Sequence, residues 1–300
     1  MFHVKQNEEL IEIKSCPVCS SSAITAYIDT KDFFFTQVSF SLTKCNDCDF
    51  VFTNPIPSNL NRYYDTPDYL SHNTNSNSLI SNLYSAIRNI NIKRKYKLVI
   101  KYCPSGTILD IGCGTGELLN YFSKKNWSVT GVEPNASVRE FAINSNNINV
   151  LDERSLDELE PNSFDVITMW HVLEHVPNLN SRLEQLNNLL KYNGTIIIAL
   201  PNLDSPDSKK YKQYWSALDV PRHLYHFTQK TFVSLISKHN LKLIHSEPMR
   251  FDSYYVSLLS EKYLKNPFYL PAALYNGFIS NLKAKESNNY SSMIFVVKKQ

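Results

Sequence analysis

The stretch Ile108-Leu109-Asp110-Ile111-Gly112-Cys113-Gly114-Thr115-Gly116-Glu117-Leu118-Leu119 constrains the fold more than any other part of the chain. An apolar run ends in an acid and three alternating glycines, and an amphipathic pattern follows. That order predicts a strand, a tight turn and a helix. Glycine in the turn lets a ligand approach the main chain, and the first amides of the helix point at whatever lies on the loop. A dinucleotide site would use G-x-G-x-x-G, with a pyrophosphate on the helix N-terminus. Here the spacing is G-x-G-x-G, Glu117 stands in the last glycine's place, and Asp110 and Glu117 would repel a pyrophosphate. A second strand pattern, Ser128–Val132, ends in Glu133-Pro134. A carboxylate at that point can accept hydrogen bonds from both ribose hydroxyls.

S-adenosylmethionine (SAM) carries an ammonium and a sulfonium and no phosphate, so it suits this acid-rich loop. The stretch resembles motif I of class I SAM-dependent methyltransferases. Phe164–Val176 resembles their fourth strand and the helix after it, and Gly194–Pro201 resembles their fifth strand. The resemblance covers roughly Leu79 to the end of the sequence. It implies SAM as cofactor, with contacts from Asp110, Gly112, Cys113, Gly114, Gly116, Glu133, Pro134, Met169 and Trp170. The patterns themselves place strands at Thr107–Ile111, Ser128–Val132, Ile148–Leu151, Asp165–Met169, Thr195–Ala199, Leu241–Met249 and Ser292–Lys298. Helices are expected at Leu79–Tyr102, Gly116–Lys125, Ala136–Asn144, Asn180–Lys191 and Gln229–Asn240. This alternation defines an α/β fold: a seven-stranded, mostly parallel Rossmann-like sheet with helices on both faces. The resemblance adds an antiparallel seventh strand.

Ahead of this domain stand Cys16-Pro17-Val18-Cys19 and Cys45-Asn46-Asp47-Cys48. Two C-x-x-C pairs around a β-patterned segment supply the four thiolates of a tetrahedral zinc site. Four cysteines leave no position for water, so Zn2+ is expected to be structural. Two disulfides are the competing reading, disfavoured in a reducing compartment. Residues 1–57 are therefore expected to form a zinc-binding module. Residues 58–78 form a tyrosine-rich linker or lid with Tyr63, Tyr64 and Tyr69, and 79–300 the methyltransferase domain, with inserts at 202–228 and 251–290. Tyr63 and Tyr64 read as packing aromatics, whereas Tyr69 is a candidate to close over the cofactor. The second insert is aromatic and proline-broken, fit to wall a pocket, pack on a subunit or touch a membrane surface.

Methyl transfer to oxygen, nitrogen or activated carbon needs a base, and histidine is the natural one near neutral pH. His171 follows the fourth strand. Glu174 and His175 read as structural, although His171-x-x-Glu174-His175 resembles the metal-binding Glu-x-x-Glu-His of ubiquinone-pathway and small-RNA methyltransferases. The stretch His223-Leu224-Tyr225-His226-Phe227-Thr228 is similar to Glu-His-x-x-Tyr-Phe-Ser of sugar C-methyltransferases, which also carry a four-cysteine module. By that resemblance His223 is the general base and Tyr69 an active-site tyrosine. Arg222 replaces the glutamate and is available to a substrate anion or to lower the histidine's pKa. The competing reading is that His223 and Arg222 only anchor the insert to the core by hydrogen bonds.

Net charge is +3 and no basic block stands out, which counts against nucleic acid as partner. The N-terminus lacks an apolar signal core, and no apolar run reaches membrane-spanning length, so a cytoplasmic protein is expected. The expectation is SAM-dependent methyl transfer to a small or carrier-linked acceptor, first a sugar or surface-polysaccharide precursor. The alternatives are an rRNA or tRNA methyltransferase with a zinc module and a non-catalytic SAM-fold subunit.

Overall fold

The computed structural model describes residues 9–64 and 79–300, and for 79–87 the backbone alone. The first strands are β1 (Leu10–Ile11), β2 (Ile24–Lys31), β3 (Ser39–Cys45), β4 (Val51–Thr53) and β5 (Ile56–Pro57). β1 pairs with β5, and β2, β3 and β4 form an antiparallel meander. Phe50 and Phe52 are fully buried and join the same apolar cluster as Leu183, Ile196 and Phe232, so this module shares a core with the rest of the chain.

One helix, α1 (Leu79–Tyr102), leads into β6 (Thr107–Ile111). Its Leu98 and Val99 are buried, but Ile90, expected on the same face, is exposed. The alternation continues with α2 (Glu117–Ser123), β7 (Ser128–Val132), α3 (Ala136–Asn146), β8 (Asn149–Leu151), β9 (Phe164–Trp170), α4 (Leu179–Leu189) and β10 (Leu190–Pro201). α4 shows why these segments are helical. Leu179, Leu183 and Leu186 recur at helical spacing and are all buried, and the Asn178 side chain caps the Ser181 amide at 3.2 Å. In β10 the run Thr195–Leu200 is wholly buried, as a central strand covered on both faces must be.

After β10 come α5 (Pro206–Tyr211), β11 (Tyr225–His226), α6 (Gln229–Ser237), β12 (Leu241–Pro248), α7 (Asp252–Tyr263), α8 (Tyr269–Ser287) and β13 (Ser292–Lys299). The main sheet has seven strands in the order β12-β13-β10-β9-β6-β7-β8. β13 is antiparallel to both neighbours, and the other pairings are parallel. The expected sheet is thus present, with its one reversed strand. The insert at 251–290, read only as aromatic and proline-broken, is a helical hairpin.

β11 extends the module's sheet by pairing with β4. The Thr53 amide donates to Leu224 O at 2.9 Å, and the Leu224 amide donates to Glu174 O at 2.8 Å. Beside this stitch lies Arg222, 1% exposed. Its Nη2 donates to Asp32 Oδ1 at 2.9 Å and Asp219 Oδ1 at 2.6 Å, its Nε to Asp219 Oδ2 at 3.0 Å, and its Nη1 to Tyr63 O at 3.3 Å. Arg222 is consumed by this network, so its role is to anchor the first insert to the module and not to meet a substrate anion.

Removing one partner of a buried ion pair leaves an uncompensated charge, at a cost of about 3–5 kcal/mol. Arg222→Leu should lose that order of stability in urea unfolding, because Asp32 and Asp219 stay behind. A loss below about 1 kcal/mol would contradict the anchoring role.

Candidate active site

The glycine loop lines a cavity of about 1230 Å3. β6 pairs with β9 so that Asp110 faces Thr168, whose hydroxyl donates to Asp110 Oδ1 at 2.5 Å. Burial pushes the Asp110 carboxyl up to about 6, while the Thr168 hydrogen bond and Lys95 pull the other way. Gly112 and Gly114 both have positive φ. A Cβ on Gly112 would sit 2.4 Å from Val172 Cγ2, whereas one on Gly114 would project into open space. Gly114 therefore keeps the loop's backbone accessible from the cavity.

Glu133, at the end of β7, is 9% exposed. Its Oε2 accepts from the Gly114 amide and its Oε1 from the Asn135 amide, both at 3.0 Å. These bonds fix the carboxylate at the cavity wall with lone pairs left for a ligand. Burial raises its pKa against those hydrogen bonds. Two buried carboxylates beside an open glycine loop fit a cationic nucleoside ligand, and they would hold SAM. Cys113, Gly112, Gly114, Pro134 and Trp170 line the same cavity, while Met169 is fully buried behind it. Gly116 starts α2 in a left-handed conformation. Lys95, which the helical pattern of Lys93-Arg94-Lys95 placed on a solvated face, instead lines the cavity with its Nζ 4.2 Å from the Trp170 ring centre. Burial lowers its pKa.

The same cavity is lined by Tyr64, Trp170, His171, His175, Phe251 and Asp252. His171 has φ +58° and lies between two acids. Its Nδ1 is 3.4 Å from Glu174 Oε1 and its Nε2 is 3.3 Å from Asp252 Oδ2. Burial opposes protonation, but the Asp252 and Glu174 carboxylates outweigh it and push His171 up to about 9. It is an imidazolium at neutral pH. Glu174 is held below the ordinary carboxylate range, against burial, by His171.

His175 is the opposite case. Burial first, and the neighbouring His223 second, push it down to about 4, so it is neutral. Its Nδ1 lies 3.0 Å from Arg222 O and 2.9 Å from Tyr64 Oη. A carbonyl only accepts, so Nδ1 carries the proton and Nε2 is bare. His223 packs edge-on against the His175 ring at 4.6 Å between centroids. Its Nδ1 donates to Ala217 O at 2.9 Å, and it does not line the cavity among the described residues. Glu174, His175 and His223 bring one ligand atom each within 4.8 Å of one another. Tyr69 lies outside the described residues. Tyr64 and Asp252 were missed because their partners are remote in sequence: 111 residues separate Tyr64 from His175.

In the module, Cys16 Sγ is 3.5 Å from Cys48 Sγ and Cys19 Sγ is 3.5 Å from Cys45 Sγ. All four sulfurs lie within 4.8 Å of one another and none is bonded to another. A tetrahedral Zn2+ fits such a set.

An α/β sheet of this order, with an acid-lined glycine loop at the carboxyl ends of β6 and β7, defines the class of Rossmann-like methyltransferases. The sequence pattern of the family described as a methyltransferase domain matches residues 87–246, and the chain belongs to that family. It is 35% identical over 107 residues to a ubiquinone biosynthesis O-methyltransferase of Glaesserella parasuis, covering 32% of this chain and 45% of that one. The corresponding protein of Rhodopseudomonas palustris is 32% identical over 106 residues, covering 33% and 42%. The chain thus spans less than half the length of these curated relatives. The fold is similar to that of phosphoethanolamine N-methyltransferase 2 of Haemonchus contortus bound to SAM. That match has a TM-score of 0.52 and 17% identity, and covers 92% of this chain and 69% of that one. It is also similar to a geranyl diphosphate methyltransferase bound to SAM, with a TM-score of 0.53 and 11% identity, covering 76% and 93%.

His171 should titrate at about 9, and lower in Asp252→Asn. Because the folded value lies above the ordinary 6.5, its stabilisation is fully present below about pH 6.5 and is lost as pH rises through about 9. Urea midpoints should fall over that window, and fall less in Asp252→Asn. A His171 NMR titration at the ordinary value would contradict the clamp.

Proposed function

We propose that the protein transfers the methyl group of SAM to an oxygen of a small or carrier-linked acceptor. The cavity carries this reading: a glycine loop with Asp110 and Glu133 lines it together with Tyr64, His171 and His175. When bound, SAM supplies an electrophilic methyl group on a sulfonium. The chain's own residues position and deprotonate. Glu133 would accept the ribose hydroxyls, and Asp110 would offset positive charge. Protonation of Asp110 should therefore weaken cofactor binding as pH falls below about 6.

The base belongs to the His175–His223 pair. His175 lines the cavity and its Nε2 is unprotonated, and His223, the residue favoured from sequence, packs against its ring. His171, already protonated, instead holds the loop and Asp252 in place. The curated relatives' names favour an oxygen acceptor, and the resemblance of residues 223–228 together with the cysteine module favours a sugar precursor. We retain residues 1–57 as a zinc module with a structural Zn2+, 58–78 as linker or lid, and 79–300 as the catalytic domain.

A second reading has one observation in its favour. Both Glu174 carboxylate oxygens are buried without a hydrogen bond, Oε1 having only the His171 ion pair at 3.4 Å, beside His175 and His223. One carboxylate and two imidazoles suit a divalent transition metal, which would acidify an acceptor hydroxyl. Metal analysis of protein purified without added metal separates the readings. One zinc per chain, lost in Cys16→Ser, supports the module alone. A second equivalent lost in Glu174→Gln supports the metal-assisted reading. No zinc, with titratable disulfides, would overturn the module.

His175→Ala should cut methyl incorporation into a nucleotide-linked sugar by ~10²–10⁴-fold while leaving S-adenosylhomocysteine affinity nearly intact, as loss of a positioned base requires. Unchanged turnover would remove the pair from the chemistry.

A further inference from the structure

The hairpin of α7 and α8 is inside out. Toward the protein α8 turns Ala273, Asn276, Gly277, Ser280 and Ala284, and α7 turns Ser253, Ser257, Ser260 and Glu261, all buried. Hydrogen bonds hold this small, polar seam. Ser253 Oγ donates to Gly277 O at 3.1 Å, Ser280 Oγ to Asp207 Oδ1 at 2.7 Å, and Asn276 Nδ2 to Glu261 Oε1 at 2.7 Å. The large apolar side chains point the other way. Leu270, Leu274, Phe278 and Leu282 are 56%, 65%, 51% and 40% exposed, with Tyr275 beside them at 65% and Phe268 at the hairpin tip at 73%.

Spacing of four places the first four residues on one stripe running most of the length of α8. A monomer has no reason to build a helix this way round for its own stability, since burying the leucines would stabilise it more. Contiguous apolar exposure of this kind marks an interaction surface.

Charge selects the occupant. Between 262 and 287, Lys262, Lys265, Lys283 and Lys285 are exposed at the two ends of the stripe, against the one acid Glu286. We propose that this face docks on an anionic lipid bilayer, with the apolar stripe in the headgroup–acyl boundary and the lysines at the phosphates. Two copies of the same face would instead oppose their lysines. Among the described residues no helix is long and apolar enough to cross a membrane, which fits lying on the surface and not spanning it. α7 begins at Asp252, and Met249 to Asp252 line the cavity, so docking brings the bilayer beside the cavity mouth. Docking stands without the proposed methyl transfer. If that reading holds, it points to an acceptor carried on a lipid.

Flotation of the full chain with phosphatidylglycerol-containing vesicles tests this. The expected result is binding that weakens with salt and is absent from phosphatidylcholine alone. Leu274→Ser with Phe278→Ser should reduce partitioning at least ~10-fold, since two buried apolar side chains are lost. The fold can be checked by the variant's unchanged melting and S-adenosylhomocysteine affinity. Lys262→Glu with Lys265→Glu should weaken binding to anionic vesicles as well. No binding by the wild type, or equal binding by the serine variant, would overturn the proposal. So would sedimentation showing a wild-type dimer that the serine variant dissolves, which would make a second copy the occupant.

Discussion

A buried guanidinium governs how the parts of this protein meet. Arg222 lies on the loop before β11, Asp32 closes the module's β2, and Asp219 lies three residues upstream of Arg222. A cation without solvent must be paired, so the three can persist only together. The same residue's carbonyl receives the His175 Nδ1 proton, which fixes the tautomer that leaves Nε2 bare. The cysteine module is thus connected to the chemistry through backbone: β4 holds Leu224, and Leu224 holds Glu174. A metal that orders the module would, by this route, order the histidine pair.

Charge is arranged along the cavity in a consistent sense. Acids crowd the glycine loop, where a sulfonium and an ammonium would be received. Glu174 and Asp252 share the one His171 imidazolium, while the neighbouring His175 is kept neutral by burial first and by His223 second. Two histidines four residues apart are set to opposite protonation states, His171 by its two carboxylates and His175 chiefly by burial. Residue type alone does not distinguish acid, base and anchor here.

The sheet was legible in the sequence because its strands are short segments rich in Val, Ile and Leu that alternate with helical patterns, and its glycine loop follows one of them. The start of β10 was not: the helix was expected to run to Lys191 and the strand to open at Thr195, yet the helix ends at Leu189 and the strand begins at Leu190, with a register shift between Leu190 and Thr195. The α7–α8 hairpin was missed as helix because its buried stripe is serine, asparagine and glycine, and its large residues face outward, which inverts the usual pattern. In the site, the cofactor loop was legible from local spacing. The acceptor end was not, since His175 meets Tyr64 and Arg222 meets Asp32 only through contacts remote in sequence, 190 residues apart in the second case. Arg222 was open to three readings in sequence: a substrate contact, a neighbour lowering the histidine's pKa, or an anchor for the insert. Asp219 three residues upstream is a local partner, but Asp32, which completes the anchor, is remote.

Calorimetric titration of S-adenosylhomocysteine tests most directly the claim that this loop and its acids receive SAM. One site per chain is expected, with binding abolished in Glu133→Ala and no comparable binding of NAD. Tighter binding of NAD than of S-adenosylhomocysteine, or binding that survives Glu133→Ala unchanged, would contradict it.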